Sequence, residues 1–564
     1  MKLTENVTYQ YDHYYQYHEI KEILEGYAKQ YPDYCKLDKI GTTLEGRDIP
    51  ILMVTDLKTG DYSDKPGYYV EGNIHAGEVC GSMVCMYFLD TVFTNLQSNE
   101  IQKLLKKYTI YVVPRVSPDG SEYYLTTPYS VRSVNTPYPY PSKMPGLYNE
   151  DIDGDGVIRS MRIKSPNGVW KISEKDPRVM VQRKPDDDEG DFYNVYSEGL
   201  LHEFNGEIKE APNPYGNDFN RNYPAYWQNE GKQQGAGLYP LSNIETKSNA
   251  LFLLDHPNIC SVVDMHTAGG QYLYTPGAKS RKECNPQDIA IYKALANIGH
   301  EETNYPVLNV HDEYCNPEEE VTYGGFDDFC HFNVGIPAIT IECWDFSARA
   351  GIKEEFPYKP HTPEQEEDEM VKYLKWFDEN KIDAFKPWTS FDHPQLGKVE
   401  IGGLNFKYTI QNPPIPFMLQ ELKKHVNFYL REIKTLPVID FNDIKVEHLA
   451  NNLYKVEATI LNKGFLPTYV FKEGLNNKRV LPITVELKGA KVIQGKAKEE
   501  IGQLGGYACT MTFNGPWGPM NFETEPTFKK LSWVIETKNN IELIVTGSRI
   551  GKKEITVQVG NNND

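Results

Sequence analysis

The chain has 564 residues, 40% of them hydrophobic and 12% aromatic, which is too long for one ordinary core and apolar enough for two or three domains. Its 59 basic and 79 acidic residues leave a formal charge of −20. Such a field repels nucleic acid and anionic membrane surfaces and favours neutral or cationic substrates.

Residues 14–30 carry apolar residues at helical spacing, and IPILMV (49–54) reads as a buried strand. GYYVEGNI (67–74) is a strand running into His75, and 78–93 reads as a helix opened by an acidic residue, where the helix dipole favours one. KYTIYVVP (107–114) is a further strand, closed by Pro and the turn SPDG. Residues 128–217 are rich in Pro, Tyr, Asp and Gly, with an acidic run at 186–191, and are expected to be a long substrate-facing loop region. ICSVVDM (259–265) runs into His266 and GIPAITI (335–341) into Glu342, while 362–381 reads as a helix with a solvated acidic face. Strands alternating with helices predict an α/β layered domain over residues 1–384. Residues 385–434 read as a connecting segment with a bridging helix. From 435 to 564, short alternating segments between Gly, Asn and Pro turns predict an accessory β-sandwich, ending in a disordered NNND tail.

No run reaches the apolar length of a membrane span, and the N-terminal MKLTENVTYQYDHYY lacks the apolar core of a signal peptide. A cytoplasmic location is expected if the chain is complete, and a secreted or periplasmic one if a leader was trimmed. The nine cysteines are scattered and form no C-x-x-C pair. They read as reduced, buried thiols, so any metal must be held by His and carboxylate.

Three such residues sit at or just past predicted strand ends: His75 and Glu78 in NIHAGE, and His266 in VVDMHTAGG. Two nitrogens and one carboxylate make a hydrolytic zinc set with an open fourth position, in the crevice where α/β sheets build sites. Taken alone, H-x-x-E recurs by chance in a chain this long, and His266 reads equally as a polar strand-end residue.

The ordered series GTTLEGRDIPIL, EGNIHAGE, VSPDG, GNDFNRNY, DMHTAGG and AITIECWD resembles the landmarks of the zinc carboxypeptidase (metallocarboxypeptidase) family over roughly residues 10–380. The resemblance implies a mixed open sheet flanked by helices and one zinc ion held by His75, Glu78 and His266. It implies that Asp218 orients a ligand histidine, and that Asn220 and Arg221 grip a terminal carboxylate, a fork-on-carboxylate fit. Glu342 matches the catalytic base. Arg159 and Arg162 match a family arginine pair, with Arg162 as oxyanion stabiliser. The gap from Arg162 to Asn220 is far longer than in the simplest members. Where the family carries a mobile Tyr before its paired glycines, this chain has Glu320. Tyr323, beside Gly324 and Gly325, is a candidate phenol or a packing residue. Asp327, two positions beyond the glycines, implies a preference for terminal Lys or Arg, and reads equally as a surface acid. DIDGDGVI (151–158) has the first half of a calcium loop, but Arg162 stands where the bidentate Glu belongs, so a metal-free Gly/Asp turn competes with Ca2+.

The implied function is zinc-dependent hydrolysis of a peptide bond beside a free C-terminus, with a peptide as partner. A cell-wall peptide or amide hydrolase shares the chemistry. A catalytically silent peptide- or glycan-binding relative is the alternative from another class.

Overall fold

The computed structural model describes residues 8–316, 321–516 and 518–559. Glu320 and the NNND tail lie outside the described residues. Eight strands form the central sheet: β1 (Cys35–Thr42), β2 (Asp48–Val54), β3 (Gly67–Gly72), β4 (Thr109–Val113), β5 (Ile259–Thr267), β6 (Gln271–Tyr274), β7 (Val307–Asn309) and β8 (Ala338–Cys343). Their order across the sheet is β1-β2-β4-β3-β5-β8-β6-β7. β4, β3, β5 and β8 run parallel in the middle, and β1–β2 and β6 add antiparallel pairings, so the sheet is mixed. β3, β4 and β5 are buried along their whole lengths, as expected for parallel strands covered on both faces. Helices Val79–Thr94 and Pro286–Thr303 supply covering layers. No single described helix is long and apolar enough to cross a membrane.

Two sequence expectations are corrected here. Residues 128–217 are not a loop region: they contain six short strands, Gly146–Asn149, Ser160–Lys164, Trp170–Ile172, Met180–Gln182, Phe192–Ser197 and Gly199–His202. Four of these strands join a six-stranded sheet with the hairpin Phe385–His393/Gly397–Leu404, where Arg162 lies opposite Glu400. The insertion closes at its base, because Tyr138 N–H donates to Pro214 O (2.9 Å) and Gly216 N–H to Tyr138 O (2.8 Å). The strands are too short and too rich in Pro, Asp and Gly at their ends to show a period of two.

Residues 385–434 are likewise not a connector. Their hairpin completes the insertion sheet, and the helix Ile415–Glu432 lies in the main core, burying Met418, Leu422, Phe428 and Tyr429. At its end, Glu432 accepts hydrogen bonds from Tyr68 (2.7 Å) on β3 and Ser261 (2.7 Å) on β5. The helix therefore braces the strands that carry the site.

The C-terminal part is two four-stranded antiparallel sheets around a core that includes Val456, Ile460, Val485, Trp533, Ile535 and Val545. Its buried Arg549 reaches into the α/β domain, donating to the carbonyls of Pro257 (3.0 Å), Ile259 (2.6 Å) and Val334 (2.7 Å). None of the nine cysteines is in a disulfide, and seven are buried.

Candidate metal and catalytic centre

The centre forms where β3, β5 and β8 end. Gly72 closes β3 directly under the first turn of helix Val79–Thr94, where an added Cβ would meet the Gly81 carbonyl carbon at 2.7 Å. A Cβ on Gly81 would in turn meet the carbonyl oxygen of Met265 on β5 at 2.7 Å. These two glycines let the helix, with Glu78 at its N-cap, sit against the strand ends. Between strand and helix, Asn73 takes a left-handed conformation (φ 65°) and its side-chain amide donates to His75 O (2.6 Å) and Ala76 O (3.2 Å). Asn412 holds the far side of the same turn, accepting from Cys80 N–H (3.0 Å) and donating to Gly77 O (2.7 Å).

This scaffold brings the three sequence-predicted ligands together. Nδ1 of His75 lies 2.9 Å from Glu78 Oε1 and 3.1 Å from His266 Nδ1, and His266 Nδ1 is 2.9 Å from Glu78 Oε2. All three residues are buried, and among the described residues they form a group able to hold a metal ion. The outward nitrogens are both engaged: His75 Nε2 with Asp218 Oδ1 (3.1 Å) and His266 Nε2 with Asp264 Oδ2 (2.7 Å). Each carboxylate fixes its ring so that Nδ1 points at the common centre. Burial opposes charge on both Glu78 and His266. The two histidines nevertheless hold the Glu78 carboxyl below its usual range, and Asp264 with Glu78 holds the His266 ring well above its own. The donor set fits a divalent ion with nitrogen and oxygen preference.

Glu342 on β8 lies directly opposite His266 in the parallel β5–β8 register. Burial, reinforced by the charge of Glu78, pushes its carboxyl up to about 8 against the opposing pull of His266 and Arg132. A carboxyl whose proton affinity is near neutrality suits a group that must both take and return a proton.

Residues 20–372 match the profile of the family described as zinc carboxypeptidase. The chain belongs to the zinc carboxypeptidase family. Residues 438–558 match a domain of unknown function. Carboxypeptidase B of Astacus astacus is 31% identical over 113 residues, 20% of this chain and 35% of that protein. The inactive metallocarboxypeptidase ECM14 of Ajellomyces capsulatus is 31% identical over 97 residues, 17% of this chain and 16% of that one. The chain thus aligns with about a third or less of these relatives' length. The crystal structure of thrombin activatable fibrinolysis inhibitor superposes with a TM-score of 0.42 at 17% identity, over 76% of each chain.

The other site residues expected from the sequence divide. Asp218, Asn220 and Arg221 lie on one turn beside the metal group. Asp218 accepts from Asn220 N–H (2.8 Å), Asn220 Oδ1 accepts from Phe326 N–H (2.7 Å), and Arg221 donates to Asn220 O (2.7 Å). The Asn220–Phe326 bond ties this turn to the Gly324–Gly325 segment, next to Asp327. Burial raises the carboxyl of Asp327 against the attraction of Arg221. Asp328 is spent on the backbone instead, accepting from Gly277 and Ala278 N–H (3.0 Å each).

Arg162 is a correction. Its guanidinium lies between the rings of Tyr193 (4.8 Å) and Trp388 (4.5 Å) and pairs with Glu400 (2.8 Å), so it serves the insertion sheet. Arg159 likewise bonds Asp155 and the Gly403 carbonyl. The arginine at the centre is Arg132, which sequence reasoning missed. It donates to Asp218 Oδ2 (2.9 Å) and Glu78 Oε1 (3.3 Å), yet its side chain remains 42% exposed. Its carbonyl accepts from Ala76 N–H (2.8 Å) in the His75–Glu78 turn, and the next residue, Ser133, accepts from Phe219 N–H (3.0 Å). Arg132 is thus threaded between the two motifs.

Tyr323, the candidate phenol or packing residue, donates its N–H to Gln233 (3.0 Å), and its ring lies under Lys232 (5.0 Å). Burial raises the phenol of Tyr314 well above its usual value, and the charges of Glu342 and Glu78 add to the rise. Tyr314, stacked on Phe356 at 6.0 Å, is therefore a phenol within electrostatic reach of the centre, as are Tyr358, raised by Glu342, and Tyr124, raised by Glu78. No fixed spacing to the paired glycines marks Tyr314. Asp264 was also missed, although its position two residues before His266 on one strand puts both side chains on the same face.

Calcium at 151–158 is not supported. Asp151 accepts from the N–H groups of Gly154, Asp155 and Gly156, and the Lys386 ammonium already bridges Asp153 (2.5 Å) and Asp155 (2.7 Å). Glu198, the third nearby acid, accepts from Ile152 and Arg159 N–H. A metal-free turn with a lysine counter-ion accounts for the loop.

Proposed function

We propose that this chain hydrolyses the peptide bond next to a free C-terminus, with one zinc held by His75, Glu78 and His266. The observation that carries the reading is the convergence of those three donors within 3.1 Å of one another, with Glu342 on the adjoining strand. Zinc held there supplies a Lewis acid for the scissile carbonyl and lowers the proton affinity of a water.

The chain's own residues supply the rest. Glu342 takes a proton from the attacking water and returns it to the leaving amine. Arg132, anchored by Asp218 and partly exposed, donates to the oxygen on which negative charge develops. Arg221 and Asn220 bind the substrate's terminal carboxylate, and this polar contact restricts cleavage to chain ends. Asp327, beside that turn, selects a basic terminal side chain, in keeping with the chain's negative net charge. Tyr314 closes over the bound terminus.

A panel of peptides differing only in the last residue tests this reading. Release of terminal Lys or Arg should exceed release of Leu by at least about tenfold. Amidating the C-terminus should abolish turnover, and a chelator should abolish activity that zinc restores. Cleavage of amidated peptides at the same rate would sink the exopeptidase reading; equal rates for Lys and Leu would remove Asp327 from its role.

A further inference from the structure

A second site lies in the seam between the α/β domain and the β-sandwich. There a crevice of about 1120 Å³ is lined by eight lysines and only three carboxylates, in a chain whose overall charge is −20. Lys103, Lys106, Lys107 and Lys434 come from the α/β side, and Lys463, Lys552 and Lys553 from the sandwich side. Like charges therefore face one another across a gap, an arrangement that costs energy unless an anion enters it.

Internal neutralisation is partial. Lys434 pairs with Glu100 (2.6 Å), Lys463 with Asp440 (2.6 Å) and Lys552 with Glu554 (2.6 Å). The eighth lysine, Lys65, is buried and spends its ammonium on Thr55 and two backbone carbonyls. Lys103, Lys106 and Lys107 are exposed, and among the described residues their ammonium groups have no ion-pair partner. The lining also includes the buried side chains of Leu104, Tyr108, Ile439 and Ile550, so exposed lysines and buried apolar groups share the crevice.

From this geometry we propose that the crevice binds a compact polyanion carrying several consecutive phosphate groups. With Glu554 counted beside the three lining carboxylates, four positive charges remain in excess and call for more than one phosphate. The charged lining contains no arginine, so nothing there favours the flat bidentate recognition of carboxylates, whereas the compact ammonium suits phosphate oxygens. Tyr108 is the one aromatic in the lining and it is buried, which leaves no platform on which nucleic-acid bases could stack. None of the metal-centre residues lines the crevice, so the two sites fail or succeed independently.

The test is calorimetric titration of the full chain with sodium tripolyphosphate, with orthophosphate and an oligothymidylate as comparison arms. Saturable binding of one tripolyphosphate is expected, at least about tenfold tighter than orthophosphate, and weakening as NaCl rises from about 50 to about 200 mM. Lys103→Gln/Lys106→Gln/Lys107→Gln on one wall and Lys552→Gln/Lys553→Gln on the other should each weaken it by about tenfold or more. Lys529→Gln/Lys530→Gln, exposed on the sandwich elsewhere, should leave it unchanged, and peptidase activity should persist in all three variants. Unsaturable heats, equal affinity in the two crevice variants and the control, or tighter binding of the oligothymidylate would each overturn the proposal.

Discussion

Glu342→Gln should lower kcat for C-terminal peptide hydrolysis by about three orders of magnitude while zinc content and Km change little. The substitution keeps the size and hydrogen-bonding outline of the side chain but removes its ability to accept a proton from water and return it, a contribution of roughly 10²–10⁴ in rate. Zinc should remain, because Glu342 is not among the three converging donors. Stability should not suffer: the native carboxyl sits at about 8, raised by burial. A Glu raised in the folded state stabilises the fold most at low pH and loses that contribution as pH climbs from its unfolded value through about 8. Near-neutral denaturation should therefore show Gln equal to or slightly above Glu. The same variant separates an enzyme from a silent binder, a relevant distinction when ECM14 is an inactive relative. A protein that only binds peptides has no turnover to lose. Peptide hydrolysis unchanged by the substitution would remove Glu342 from the mechanism.

The second large effect is expected at Arg132, paired with a control at Arg162. Arg132→Met should reduce kcat by about 10²–10³, the usual cost of losing a donor to a developing oxyanion, with a smaller effect on Km. It also removes the counter-charge that, together with His75 and Arg221, holds Asp218 well below its usual range against burial, so some loss of zinc affinity should accompany the rate effect. Arg132→Lys restores a charge but not the geometry that reaches Asp218 and Glu78 together, and should recover only part of the rate. Arg162→Met, by contrast, deletes a guanidinium stacked between Tyr193 and Trp388 and bonded to Glu400. It should leave kcat within about threefold of wild type and lower stability by about 1–3 kcal/mol in a denaturant titration. If the two arginines exchange these phenotypes, the assignment reverts to Arg162.

Arg162 shows where the sequence misleads and why. The metal donors were legible because each sits where a buried strand runs out, and because H-x-x-E needs only one short turn to bring its two residues together. Asp218, Asn220 and Arg221 were legible through the resemblance of DFNRN to the family's motif, and one short turn, Phe219–Arg221 with Asp218 at its N-cap, carries them. Arg132 carries no such mark. It lies 88 positions before Asn220, separated by an insertion whose six strands return the chain to the level of Tyr138 and Tyr215 before the next motif begins. Distance along the chain said nothing about distance in space, and Arg159 and Arg162, which lie closer to the NR motif, attracted the assignment instead. The helix Ile415–Glu432 misled in a related way. Its amphipathic pattern was plain, but its partners on β3 and β5 lie more than 150 residues away. The sandwich was legible from alternation alone, although half of the pairings in its two sheets join strands distant in sequence.

The account stands on one ion held by two imidazoles and one carboxylate. Zinc K-edge X-ray absorption on the metal-loaded protein, with metal content determined on the same sample, tests it most directly. The account predicts one zinc per chain, a first shell of nitrogen and oxygen with the multiple-scattering signature of two histidines, and loss of the metal in His266→Ala. Sulfur in the first shell, or a full equivalent of zinc retained by His266→Ala, would contradict it.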